Sequence, residues 1–218
     1  QKHGDPPSDD SDDSLSAVLG AHIREGDYGP VIADLRGLTQ RSDLRPDAYT
    51  YTSAILACDR AGKWRTAVRL LDELVTADDL EPTLAAYNAA LSACRRKRQW
   101  ATAVAILEDL IAGRSRRVLA PHADHDADDD GAEVVATSRR STRPPRPDVS
   151  SYRAAISACA SAGEWAEATR LVRIMGRDAA VGPDATCYTA CVAACARAGE
   201  WAQAVELLRE MRAVGLEP

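Results

Sequence analysis

Residues 185–211, ATCYTACVAACARAGEWAQAVELLREM, decide the fold, because the same pattern occurs three more times. It returns as AYTYTSAILACDRAGKWRTAVRLLDEL from Ala48, LAAYNAALSACRRKRQWATAVAILEDL from Leu84 and VSSYRAAISACASAGEWAEATRLVRIM from Val149. The starts at 48 and 84, and at 149 and 185, are 36 residues apart. Counted from each start, position 4 is Tyr51, Tyr87, Tyr152 and Tyr188, and position 11 is Cys58, Cys94, Cys159 and Cys195. Position 17 holds all four tryptophans, Trp64, Trp100, Trp165 and Trp201, and position 20 is Ala67, Ala103, Ala168 and Ala204. A fixed period of this length marks a repeat architecture.

A more divergent copy begins at Asp12, with Leu15, His22, Tyr28 and Val31 in the Tyr, Cys, Trp and Ala positions. Each unit closes on a Pro-containing turn: Pro46-Asp47, Pro82-Thr83, Pro147-Asp148, Pro183-Asp184 and Pro218. Within a unit the second half reads as an amphipathic helix. Trp64, Ala67, Val68, Leu71 and Leu74 recur at i, i+3, i+4 and i+7, with Arg65, Thr66, Arg69, Asp72 and Glu73 on the other face. The first half is Ala-rich and apolar on more than one side, as for a helix covered by neighbours. Gly62, Gly163 and Gly199 separate the halves, where a helix end takes a left-handed residue. Two such short helices cannot bury their apolar faces alone, so the units must stack into an all-α solenoid.

Outside the repeats the composition changes. Residues 1–11 form an acidic tail expected to be disordered; residues 12–112 hold three units, and residues 147–218 hold two, the last stopping at its Pro. Residues 113–146 are an Arg-, Asp- and Pro-rich insertion without periodicity, expected to be a disordered loop at an inter-repeat turn. The net charge is −6, and the repeats remain mildly acidic once tail and insertion are set aside, against a generic basic nucleic-acid binder. No apolar run approaches the roughly 18 residues of a membrane span. The start QKHGDPPSDDSDDS is neither a signal nor a transit peptide, and without an initiator Met the chain reads as a piece of a longer protein.

The unit, with Tyr-Thr or Tyr-Asn early (Tyr51-Thr52, Tyr87-Asn88, Tyr188-Thr189), Ala-Gly between helices, Ala at 20, Leu or Met at 27 and a closing Pro-Asp, resembles the pentatricopeptide repeat. The resemblance covers about 170 of the 218 residues. Two features depart from the family pattern: a period of 36 in place of 35, and Trp at 17 in place of an aliphatic residue. The tetratricopeptide repeat, with its 34-residue period and Gly-Tyr signature, fits less well. The resemblance implies a right-handed α-solenoid of about five helix-turn-helix units that binds single-stranded RNA, one base per repeat. It further implies a mitochondrial or plastid factor in RNA processing, stability or translation. In such repeats the residue at position 5 and the last residue of the unit read the base, and position 2 wedges against it. The implied reading pairs are Ser16 with Asp47, Thr52 with Thr83, Asn88 with Asp148, and Arg153 with Asp184, with Thr189 left without a partner. By the family's pattern Asn88 with Asp148 prefers uridine and Ser16 with Asp47 leans to guanine. The wedge positions are Tyr49, Ala85, Ser150 and Thr186.

Arg95, Arg96, Lys97 and Arg98 end a first helix, where cations suit the helix dipole; they are also candidates for phosphate contact. The Cys side chains are expected to be small buried thiols in helix contacts, although Cys187, Cys191 and Cys195 share one face. The His122–Asp130 tract reads as a solvated acidic run. No catalytic constellation, Gly-rich phosphate loop or zinc-deaminase signature appears, and no cofactor, metal, membrane or small-molecule partner is expected. Two other functional readings stay open. One is a protein-protein interaction scaffold of the tetratricopeptide type, with other proteins as partners; the other is the RNA-binding arm of a larger nuclease such as protein-only RNase P.

Overall fold

The computed structural model describes residues 47–77, 80–113, 144–178 and 180–217. The unit from Asp12, the acidic tail and most of the insertion lie outside the described residues. Among these, eight helices form four pairs: α1 (Ala48–Arg60) with α2 (Trp64–Thr76), α3 (Leu84–Arg96) with α4 (Trp100–Ala112), α5 (Val149–Ala162) with α6 (Trp165–Arg177), and α7 (Ala185–Ala198) with α8 (Trp201–Ala213).

Every first helix is capped by the residue after the Pro and begins one residue later. Asp47, Thr83, Asp148 and Asp184 are N-caps whose side chains accept from the backbone N–H of Thr50, Ala86, Ser151 and Cys187. Such a cap is worth about 0.5–2 kcal/mol, because it satisfies a donor that the helix leaves unpaired. The end of each first helix is closed by one recurring bond. The backbone N–H of Lys63, Gln99, Glu164 and Glu200 donates to the carbonyl of the Cys five residues earlier, at 2.9–3.0 Å. That closure requires a left-handed residue just before it. Gly163 and Gly199 supply it at φ 94° and 80°, and Gly62 at 69°.

In the Leu84 unit the same place is taken by Arg98, held at φ 57°. A side chain with a Cβ pays for this conformation, about 1–2 kcal/mol, whereas glycine does not. Arg98→Gly is therefore expected to stabilise the chain by about 0.5–1 kcal/mol, after allowing for the greater freedom of glycine in the unfolded state. Thermal melts check this: the midpoint should rise by about 1–4 °C, and a lower midpoint would mean that the Arg98 side chain makes compensating contacts.

The pairs stack through their first helices. α1 packs on α3, α3 on α5 and α5 on α7, while each second helix packs on its own first helix and α2, α4 and α6 pack also on the next one. The second helices make no backbone-to-backbone approach to one another. Ala57, Ala93, Ala158 and Ala194, all at one register, are fully buried and allow the first helices to come close. Close first helices and splayed second helices bend the stack, with the first-helix face on the inside. On the outer side long side chains bridge the gaps. Arg170 pairs with Glu108 and Glu167, and Arg173 with Glu206 and Glu210. These pairs are solvated and contribute little each.

The insertion does not interrupt the stack: α5 packs on α3 and α4 as α3 packs on α1 and α2. Trp64, Trp100 and Trp165 open the second helices and pack half-buried against the core. Trp201, with no further helix over it among the described residues, is 76% exposed. The described Cys residues are all free and buried. Burial pushes the thiols up, to about 11 for Cys58 and about 12 for Cys94, Cys159 and Cys187. They pack as small apolar side chains, and among the described residues no group of three or more His, Cys, Asp or Glu side chains is placed to hold a metal ion. No helix among these residues is long and apolar enough to cross a membrane. The His122–Asp130 tract lies outside the described residues.

Candidate nucleic-acid interface

The inner face carries an open cleft of about 460 Å³ that runs across α3, α5 and α7. Its lining is mixed: polar and cationic groups come from Asn88, Ser92 and Arg95 of α3, Ser150, Arg153 and Ser157 of α5, and Thr186 of α7, beside small and apolar side chains such as Ala154 and Ile156. The polar and cationic groups follow one pattern. They recur at positions 2, 5, 9 and 12 of their units, the stripe that a first helix turns away from its own second helix.

At the rim of the cleft the stacking joins residues far apart in sequence. At two boundaries the N-cap of a first helix meets position 5 of the preceding one. Asn88 Nδ2 donates to Asp148 Oδ1 at 3.2 Å and to Oδ2 at 3.4 Å, across 60 residues of chain. Ser151 Oγ lies 2.6 Å from Asn88 Oδ1 and 2.9 Å from Asp148 Oδ1, and it accepts from the Asp148 backbone N–H at 3.3 Å. The Ser151 backbone N–H donates to Asp148 Oδ1 at 2.8 Å, completing a capping box.

Thr52 and Thr83 also meet, with their hydroxyl oxygens 3.1 Å apart. The Thr52 hydroxyl donates to the Ala48 carbonyl at 2.7 Å, so Thr83 must donate to Thr52. Thr83 Oγ1 also accepts from the Ala86 N–H at 3.2 Å. That pair is internally satisfied, and Thr52 is only 9% exposed. Asn88 and Asp148 instead keep one amide N–H and the outer lone pairs of Oδ2 for a partner. Arg153 and Asp184 form neither a hydrogen bond nor an ion pair with each other among the described residues; Asp184 accepts from the Cys187 N–H at 2.9 Å. The Thr189 hydroxyl donates to the Ala185 carbonyl at 2.7 Å. Ser16, the expected partner of Asp47, lies outside the described residues.

Tyr49, Ala85, Ser150 and Thr186 all sit exposed on the first turn of their helices, and Tyr49 is 65% exposed. Of the four cations that close α3, only Arg95 lines the cleft. Arg96 turns back to Asp59 of α1, with Nε 3.0 Å from Oδ1. The contact is a charge pair without an aligned hydrogen bond, since Asp59 Oδ1 has no hydrogen-bond partner of good geometry. Arg197, at the same register in its unit, donates to the Ala160 carbonyl, so this position clamps one unit to the one before. The Lys97 side chain lies over Gly62, and Arg98 forms the left-handed turn. Arg153, from the middle of the inner face, is the second cation in the cleft.

Burial by itself would raise the Asp148 carboxyl, but the hydrogen bonds it accepts, from the Ser151 N–H and from Asn88 among them, outweigh it and hold the group below its ordinary value. A carboxyl lowered in the folded state contributes stability above its unfolded value and loses it as the pH falls through the folded one. The stability difference between the wild-type chain and Asp148→Asn should therefore stay constant from neutral pH down to about 4 and shrink only below that. Urea melts across pH 3–7 would show it, and a difference already closing at pH 5 would contradict the assignment.

Ser151 and the capping role of the closing Asp or Thr were not recognised in the sequence. The Asp148-x-x-Ser151 spacing is the signal that could have found both.

No curated protein sequence matches the chain. Among solved structures it is similar to the pentatricopeptide repeat protein PPR10 in complex with an 18-nt psaJ RNA element. The two share 27% identity with a TM-score of 0.63, over 94% of this chain and 25% of that one. It is similar in the same way to PPR10 from maize, at 27% identity and a TM-score of 0.62, over 93% of this chain and 24% of that one. The chain thus spans about a quarter of the length of these proteins. Residues 38–96 match the pentatricopeptide repeat domain, and residues 150–178 and 186–216 match the PPR repeat, together more than half of the sequence. With four stacked helix pairs in register, the chain belongs to the pentatricopeptide repeat family.

Proposed function

We propose that the chain is a single-stranded-RNA-binding module whose inner face reads bases one unit at a time, with Asn88 and Asp148 selecting uridine. The observation that carries this reading is their juxtaposition at the cleft rim, with one amide N–H and the outer lone pairs of Asp148 Oδ2 left for a base. Uracil presents the complement, a carbonyl acceptor next to the N3–H donor. Ser150 and Thr186, at the wedge positions on either side of Arg153, line the same cleft. Arg95 and Arg153 supply positive charge where a phosphate backbone would run, which lets a mildly acidic repeat array hold a polyanion locally. PPR10, to part of which this fold is similar, is in complex with an 18-nt psaJ RNA element in two structures. By the same resemblance the module serves RNA processing, stability or translation in a mitochondrion or plastid, without catalytic residues of its own.

Fluorescence anisotropy with short single-stranded RNAs tests the reading. Binding should weaken with salt, and Arg95→Ala and Arg153→Ala should each lower the slope of log K against log salt by about 0.7. No binding at low salt by a chain shown to be folded would end the RNA reading and direct the search to a peptide partner in the same cleft.

A further inference from the structure

The hydroxyl of Ser151 has a single proton and two acceptors within reach, Asn88 Oδ1 at 2.6 Å and Asp148 Oδ1 at 2.9 Å. Asp148 Oδ1 is already supplied by the Ser151 N–H and by Asn88 Nδ2. Asn88 Oδ1 has no other donor among the described residues, and it is the nearer of the two. The proton therefore belongs on Asn88, while the hydroxyl oxygen accepts from the Asp148 N–H at 3.3 Å. This arrangement fixes the carboxamide: its oxygen faces Ser151, and its nitrogen faces Asp148 and the cleft.

We infer that Ser151 is a specificity-determining residue of the Leu84 unit, a positioning group that sets which end of the Asn88 amide meets the base. This rests on the RNA reading above. The consequence follows from the edges of the two pyrimidines. Going from position 4 to position 3, uracil presents an acceptor and then a donor, whereas cytosine presents a donor and then an acceptor. An amide locked with its N–H toward the base satisfies the uracil carbonyl and opposes the cytosine amino group. Released from Ser151, the amide can turn its oxygen toward the base and accept from that amino group, so discrimination between the two narrows.

The other units show that the register is variable. Thr50, Ala86, Ser151 and Cys187 occupy the same place, three residues after the N-cap, and all are buried. Ala86 shows that this fold accepts alanine there, and Thr50 that it accepts threonine. Ser151 has no exposed surface, so it acts through Asn88 and not by touching RNA.

The test uses the full chain and 12-nt adenylate oligomers carrying one central uridine or cytidine, with thermal melts confirming that each variant is folded. In the wild-type chain the uridine oligomer should bind more tightly, and Asn88→Ala should abolish the difference. Ser151→Ala should reduce the uridine-to-cytidine ratio by about 5-fold, the worth of one neutral hydrogen bond, with little change in binding to plain adenylate. Ser151→Thr, which keeps the hydroxyl, should preserve the ratio. A full ratio in Ser151→Ala would overturn the positioning role and leave the RNA reading intact. An equal loss for every oligomer would also overturn it, assigning Ser151 to the cap alone. A wild-type chain without uridine preference would overturn both this inference and the base assignment to Asn88 and Asp148.

Discussion

Ile156→Ala is expected to remove about 2–5 kcal/mol of stability, a large part of the roughly 5–15 kcal/mol that a folded domain has in total. Ile156 is 1% exposed on α5, the helix that meets α3 and α4 on one side and α6 and α7 on the other. No chain connection shorter than the insertion links these halves, so the contacts of α5 are what make the solenoid continuous. In a quasi-one-dimensional array, stability is a sum of unit terms and nearest-neighbour terms. A cavity at this junction weakens a neighbour term, so the two halves should begin to unfold separately. Urea denaturation followed by circular dichroism should show an earlier midpoint and a broadened transition, with a smaller apparent m-value. An earlier midpoint with an unchanged slope would mean that the halves remain one cooperative unit.

The double variant Asn88→Ala, Asp148→Ser should lose about 5- to 150-fold in preference for uridine, the range of about 1–3 kcal/mol for a two-bond base contact. Serine is chosen at 148 because it retains the N-cap of α5. Asp148→Ala would remove the cap as well, and its cost of about 1 kcal/mol would mix a stability change into the binding measurement. Affinity for oligomers without uridine should change little, since Arg95 and Arg153 remain in the cleft. Anisotropy titrations of uridine-containing and uridine-free oligomers read the two quantities separately. An unchanged uridine preference would remove Asn88 and Asp148 from base reading and leave the cleft as a backbone-binding groove.

Much of this protein is written in the order of its residues. The 36-residue period, the recurring Tyr, Cys, Trp and Ala, and the apolar stripe from Trp64 to Leu74 determine helix pairs that must stack. The turn glycines are equally legible, because a left-handed closure has few other solutions. Local rules of this kind act within a turn or two of helix, and a single sequence displays them directly. The lining of the cleft needed more. Arg95, Arg96, Lys97 and Arg98 are consecutive and alike in sequence, yet one lines the cleft, one pairs with Asp59, one covers Gly62 and one forms the turn. Successive helical residues point about 100° apart, and only the neighbouring unit settles which direction faces the cleft.

The same holds for the base-reading candidates. The family resemblance paired Asn88 with Asp148 and Thr52 with Thr83 across a repeat boundary, and the structure brings both pairs within hydrogen-bonding distance. It does not join Arg153 to Asp184. That Thr52 and Thr83 satisfy one another while Asn88 and Asp148 keep a donor and an acceptor open depends on which protons are spent on Ala48, Ala86 and Ser151. Hydrogen bonds saturate: each hydroxyl has one proton to give, and where it goes is decided by distances between helices. The sequence by itself therefore determined the repeat, the helices and the stack. Only the tertiary structure decided which polar groups at the inner face remain unspent, because that depends on how closely one unit seats its N-cap against the helix before it.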